Sequence, residues 1–154
     1  MIDEPHVAET RVQPAAVIHV TIPRSKIREV MGPGLAELRA AIAAQGIAAT
    51  GPWFTHHHKM EADVFDFEIG VPVATLVSAA GRVQPGELPA ARVARTVYHG
   101  GYEGLSDGWS ALMAWIARQG YAPRADLWEC YLTNPEANPD PSQWRTELNR
   151  PLVA

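Results

Sequence analysis

The 154-residue chain has a single cysteine, Cys130. That excludes an internal disulfide and fits a reducing, cytoplasmic location. Basic runs are also missing: the 13 Lys and Arg are scattered among 17 Asp and Glu, for a net charge of −4. Such a balance argues against direct nucleic-acid binding. No apolar stretch approaches the roughly 20 residues needed to span a bilayer, so no membrane partner is expected. The first ten residues, MIDEPHVAET, are acidic and lack the apolar core of a signal peptide. The glycines of HGGYEG (99–104) carry no Lys and Ser/Thr of a phosphate loop, and no Ser/His/Asp arrangement stands out. Nucleotide binding and triad chemistry are therefore not expected.

What is present is ordinary globular material, 47% hydrophobic and 19% charged, enough for one domain or two small fused halves. The 12 Gly and 13 Pro are spread along the chain, which implies many loops rather than disorder. Internal similarity decides between the two options. Shifted by 74 positions, GLAELRAAIAAQGIA (34–48) lies on GWSALMAWIARQGYA (108–122) with eight identities, among them Gly34/Gly108, Leu38/Leu112, Ile42/Ile116 and Gly46/Gly120. Upstream, PAAVIHVTI (14–22) resembles PAARVARTV (89–97); downstream, EIGVPV (68–73) resembles ELNRPL (147–152). Three matches in one order indicate an ancient duplication.

Each half then reads as β-α-β-β, with repeat one at about 10–78 and repeat two at about 86–154 of a single domain, 1–154. The first strands are expected at about 12–22 and 90–98. A helix follows each, with Pro33 in the first turn of one and Gly46 or Gly120 at the C-caps. Leu105, Trp109, Leu112, Met113 and Ile116 mark the apolar stripe of the second helix. Strands at about 50–58, 62–70, 126–133 and 143–150 close the halves. The stretch 79–87 reads as a linker, and 134–143, with three prolines, as a loop. The expected fold is α+β: a duplicated β-α-β-β related by a pseudo-two-fold, antiparallel sheet with two helices on one side, and a ligand cleft between the repeats.

The segment DLWECYLTNP (126–135) holds the main chemical signal. Strand alternation puts Trp128, Cys130 and Leu132 on one face, apolar enough to lie under a helix. Leu127, Glu129, Tyr131 and Thr133 take the other, too aromatic for a wet surface and too polar for a core. Such a face suits a ligand site. By the duplication, Glu129 corresponds to Thr55 and Tyr131 to His57, so Trp53, Thr55 and His57 are expected to face Glu129 and Tyr131. Burial among aromatics should raise the pKa of Glu129 by desolvation, unless hydrogen bonds to Tyr131 or a backbone amide oppose it. It could then attract a cationic aromatic ligand or act as a general acid or base. Cys130 reads as a small buried hydrophobe rather than a nucleophile.

Other candidates are weaker. His56 and His58 share a strand face while His57 opposes them, so the three do not converge locally; a metal shared with a distant Asp or Glu has no support in the sequence, and neither a metal nor a cofactor is expected. They read as a binding-site wall or surface histidines. Tyr102 either caps the ligand site or packs the core. Trp109 belongs to the helical stripe, as core or as ligand contact; Trp115 is displaced from it, towards the other helix or an oligomer surface. Trp144 opens the last strand on a face that strand alternation leaves open.

Around these residues the chain resembles the GyrI-like small-molecule-binding family, which includes effector-binding domains of AraC/Rob-type and BmrR-type regulators. The matching pieces are GPWFTHHH (51–58), DVFDFEIGVPV (63–73), HGGYEGLSDGWSALMAWI (99–116) and WECYLTNPEANPDPSQWRTELNRPL (128–152). The resemblance implies a pocket with an acidic residue at its floor, matched by Glu129, followed by an aromatic, matched by Tyr131. With only about ten residues before the first strand, a stand-alone member is expected, without the helix-turn-helix of the regulators. THHHK departs from relatives, which often carry an aromatic near position 57. The leading expectation is a drug- or hydrophobic-ligand-binding protein in xenobiotic sensing or resistance, a monomer or homodimer, with ligand contacts from Trp53, Thr55, His57, Tyr102, Trp109, Leu127, Glu129, Tyr131 and Trp144. The resemblance also implies an alternative, hydrolysis of cyclopropane-bearing electrophiles. There Glu129 activates water and Tyr131 donates to the developing charge. A protein-interaction module, with gyrase or a regulator as partner, is the third class.

Overall fold

A computed structural model describes residues 1–60, 64–133 and 138–153; the side chains of Arg24, Arg28, Lys59 and Met60 are not among the described groups. The chain divides into two compact units. One is the contiguous Arg11–Ala90; the other joins Met1–Thr10 to Ala91–Ala154. In chain order the strands are β1 (His6–Glu9), β2 (Gln13–Pro23), β3 (Phe54–Met60), β4 (Val64–Pro72), β5 (Gln84–Leu88), β6 (Arg92–His99), β7 (Leu127–Tyr131) and β8 (Arg145–Pro151). The helices are α1 (Ile27–Ala44) and α2 (Leu105–Arg118).

The contiguous unit is β2-α1-β3-β4 plus β5, with an antiparallel sheet ordered β3-β4-β2-β5. The other is β6-α2-β7-β8 plus β1, ordered β7-β8-β6-β1 and likewise antiparallel. The α+β class and the paired β-α-β-β pattern are therefore present, and each unit gains an edge strand lying on its first long strand. Part of the expected linker, 84–87, is strand β5, paired with β2 from Gln13↔Leu88 to Val17↔Gln84. The expected loop at 134–143 lies partly outside the described residues; its end forms a short 3-10 turn, Pro141–Gln143, capped by Asp140.

Equivalent ladders define the repeat more strictly than the sequence match does. Thr55 pairs with Ile69 and Glu129 with Leu148, so offsets of 74 and 79 hold for the last two strands of each unit. Ala16 opposite Val71 corresponds to Ala94 opposite Arg150, an offset of 78. The upstream alignment of PAAVIHVTI with PAARVARTV, offset by 75, is three residues out of register. Shared Pro-Ala-Ala attracts that alignment, whereas an odd slip in the structure would turn every core side chain of the strand outward.

Both helices end alike. Gly46 (φ 68°) and Gly120 (φ 76°) adopt the left-handed conformation. Their N–H groups donate to Ala43 and Ala117, and those of Ile47 and Tyr121 donate to Ile42 and Ile116. This is the double hydrogen bond of a Schellman cap. The N-terminal side of α1 departs from expectation: Pro33 lies inside the helix, which starts at Ile27. Ile27, Val30, Met31, Leu35, Leu38 and Ile42 pack on one core, and this helical spacing carries the chain through Gly-Pro-Gly. The hydrogen bond that proline removes belongs to exposed residue 29, where water can replace it.

In the contiguous unit α1 covers the sheet face bearing Ile18, Phe67, Ile69 and Val71. In the other, α2 covers Ala94, Tyr98 and Leu148, packing Leu112 and Ile116 against them. Gly34 and Gly108 occupy equivalent close approaches: a Cβ there would stand 2.7 Å from Ile69 and 2.8 Å from Tyr98. Among the described residues no helix is long and apolar enough to cross a membrane.

On the face opposite α1, the Phe54 ring lies across Gly70, its ladder partner. A Cβ at 70 would sit 2.3–2.8 Å from three ring atoms of this buried phenylalanine. Gly70→Ala should therefore lower stability by about 1–3 kcal/mol, read as a reduced urea midpoint at unchanged m-value. An unchanged midpoint would mean the ring is free to leave.

Candidate functional site

Strand β7 places Glu129 opposite Leu148 and Tyr131 opposite Thr146, on the face that α2 covers. The apolar alternates Trp128 and Cys130 point the other way, and Leu132, beyond the strand, is 46% exposed. This corrects the expectation that the Trp128 face lies under a helix. The helix packs instead on the face with the acid. Apolarity alone misleads here because Tyr98 and Leu148, from other strands, and Leu152, just past β8, supply the apolar surface beneath α2.

Glu129 is partly buried, and both its oxygens are held. The indole Nε1–H of Trp109 donates to Oε2 at 2.6 Å, and the phenol of Tyr131 donates to Oε1 at 2.7 Å. Desolvation raises the carboxyl above its ordinary pKa, with these two hydrogen bonds opposing the rise. The network ties helix to strand: Trp109 comes from the second turn of α2, which Gly108 lets approach Tyr98 closely.

Two more aromatics adjoin the pair. The ring of Tyr102, in the turn before α2, meets that of Tyr131 edge-on at 5.9 Å. The ring of Trp144 lies 5.0 Å from that of Tyr102. Trp144 is anchored by its Nε1–H, which donates to the Asn138 carbonyl at 2.7 Å. Burial, and then the charge of Glu129, hold the Tyr102 phenol above its ordinary pKa. Leu127 is buried two residues before Glu129 on the same face. Five expected site residues, Tyr102, Trp109, Glu129, Tyr131 and Trp144, thus form one acid-and-aromatic cluster within a single unit.

Trp53, Thr55 and His57 belong to the other unit. There Thr55 is fully buried, His57 stacks on Phe67 with centroids 4.9 Å apart, and Trp53 packs against the α1 core. They form part of that core. Trp115 lies beside Tyr121, with centroids 6.1 Å apart. Cys130 is buried, and burial followed by the nearby Glu147 charge pushes its thiol up to about 12, so it is no nucleophile near neutrality. The Trp109–Glu129 hydrogen bond is legible in the sequence only as an indole on an apolar stripe, and indoles seek an acceptor when buried.

The chain belongs to the family of GyrI-like small molecule binding domains, whose model matches residues 18–152. No curated protein matches it. Among solved structures it resembles the crystal structure of the EcmrR C-terminal domain, at TM-score 0.85 and 21% identity over 97% of both chains. It spans 57% of the EcmrR chain in a cryo-EM EcmrR–DNA complex (TM-score 0.82, 21% identity, 97% of this chain). A hydrolase from Listeria innocua follows at TM-score 0.72 and 10% identity, over 97% of this chain and 92% of that one. SAV2435 bound to tetraphenylphosphonium matches at TM-score 0.65 and 10% identity, over 99% and 95%. At such identities the structures share the fold.

Trp109→Phe keeps the packing and deletes one donor. The carboxyl pKa of Glu129 should rise further, seen by 13C NMR titration of the side chain. Its raised pKa means that ionisation costs stability as pH climbs through the folded value, a cost absent below the unfolded value. The variant should therefore lose about 1–3 kcal/mol at neutral pH and less in acid. A pKa that stays put or falls would deny the indole its role.

Proposed function

We propose that this domain binds a hydrophobic, aromatic cation at the Glu129 cluster and serves in sensing or sequestering foreign compounds. The observation that carries this reading is a partly buried carboxylate gripped by two aromatic donors, with Tyr102 and Trp144 alongside. Trp109 donates to Oε2 and Tyr131 to Oε1, and carboxylate oxygens retain further acceptor capacity. A delocalised cation needs no hydrogen bond from the carboxylate; it needs charge in a low-dielectric, aromatic surrounding. Bringing it near would offset the desolvation of Glu129 and favour the ionised form. The family's small-molecule binding and a similar fold holding tetraphenylphosphonium support the same reading.

The sharpest test compares tetraphenylphosphonium with a neutral aryl analogue such as triphenylphosphine oxide, titrated by calorimetry. Glu129→Gln should weaken the cation at least about tenfold, near 1.4 kcal/mol, and the neutral compound less than about threefold. Wild-type affinity for the cation should also climb with pH through the raised Glu129 pKa, while the neutral compound stays level. Equal losses for both ligands would remove charge from the account.

A second reading, hydrolysis of cyclopropane-bearing electrophiles, draws on the direct Tyr131–Glu129 hydrogen bond and on the fold shared with the Listeria innocua hydrolase. Water would attack a ring carbon, the cyclopropane C–C bond would break and its electron pair move into the conjugated carbonyl, with Glu129 accepting the water's proton and Tyr131 donating to that carbonyl oxygen. Such an alkylator incubated with the protein should give a hydrated product that Glu129→Gln fails to form; no wild-type turnover leaves binding alone.

A further inference from the structure

The contiguous unit carries a second polar cluster, on the sheet face opposite α1. His19, Glu68 and His56 stand in one row across β2, β4 and β3, as the pairings His19↔Glu68 and His56↔Glu68 require. The register of β3 shifts between His57 and Lys59, leaving His58 as an extra residue opposite β4. Such a bulge re-aims a side chain. Here the His58 ring lies 4.8 Å from that of His56, and its Nε2 stands 3.2 Å from Glu68 Oε1. His56 Nδ1 lies 4.0 Å from the same oxygen. Along β3 alone the histidines do not converge; the third ligand, Glu68, comes from the neighbouring strand.

We propose that His56, His58 and Glu68 bind one divalent transition-metal ion of the zinc type. Two ligand atoms about 2.1 Å from a tetrahedral ion stand roughly 3.4 Å apart. One donor from each of the three residues lies within 4.8 Å of the others, so small side-chain rotations close the set. Two imidazoles and a carboxylate suit zinc better than magnesium or calcium, which prefer all-oxygen shells. The side chains are graded in exposure, His56 at 8%, Glu68 at 21% and His58 at 42%, so the site is rooted in the sheet and open on one side. That open side leaves a fourth position for water. His19 flanks the site with its ring 6.0 Å from His58, and its Nε2 is engaged by Asp66, whose carboxylate adds negative charge beside the ion. Binding would staple β3 to β4 and stabilise the fold by linkage. The inference does not depend on what Glu129 binds.

Calorimetry with Zn²⁺ on the full chain, carrying no histidine tag, tests it. One ion per chain should bind with a dissociation constant of roughly micromolar or below, and raise the thermal midpoint by at least about 4 °C at a hundredfold excess over that constant. Co²⁺ should give the visible absorption of a tetrahedral site. His58→Ala, at an exposed position where folding is safe, should weaken Zn²⁺ at least tenfold. So should the near-isosteric Glu68→Gln, while His6→Ala, on β1, should change nothing. Circular dichroism of each variant separates lost ligation from lost fold. Substoichiometric binding by the wild type, or full binding retained by a folded His58→Ala/Glu68→Gln double variant, overturns the proposal.

Discussion

A carboxylate set among aromatic rings has lost part of its water, and it stays tolerable only if something else satisfies its oxygens. Glu129 meets that demand with one donor from a helix and one from its own strand. Much around it follows from this requirement. α2 must lie close enough for the Trp109 indole to reach, and Gly108 makes the approach by offering no Cβ to Tyr98. Tyr131 must share the strand face with Glu129, which two-residue spacing ensures. The two hydrogen bonds hold the acid in place without cancelling the desolvation that raises its pKa.

The equivalent positions in the other unit show what the same template becomes without an acid. Thr55 and His57 stand where Glu129 and Tyr131 do, and Leu35 takes the place of Trp109. All three belong to the α1 side of that sheet, with His57 stacked on Phe67 and Leu35 packed against the apolar core. At these three matched sites one unit carries a plain helix-on-sheet core and the other an acid held by two aromatic donors, which Tyr102 and Trp144 then adjoin. In the α1 unit the polar chemistry sits on the opposite face, where His56, His58 and Glu68 gather.

Local sequence signals were reliable where they stated a local physical need. The glycine caps of both helices, the alternation around Glu129 and the 74-residue repeat of the helix and following strand all reappear in the structure. Signals borrowed from composition were less so. Pro33 suggested a first helical turn, yet the apolar spacing of Ile27, Val30 and Met31 outweighed one lost hydrogen bond at an exposed site. Pro-Ala-Ala drew the first-strand alignment three residues away from the register that the ladders define. Residues 84–87 read as linker because a short edge strand with Pro and Gly carries little periodicity.

By itself, then, the chain's sequence determined the α+β pattern, the repeat and the suspicion attached to Glu129 and Tyr131, because helical and strand periodicities are written in nearest neighbours. Only the tertiary structure decided that the helix covers the acid's face, that Trp109 donates to Glu129 and that Glu68 joins two histidines. Each of these joins residues on different elements. Distances across a sheet or from helix to strand are set by packing, which no single stretch of chain encodes.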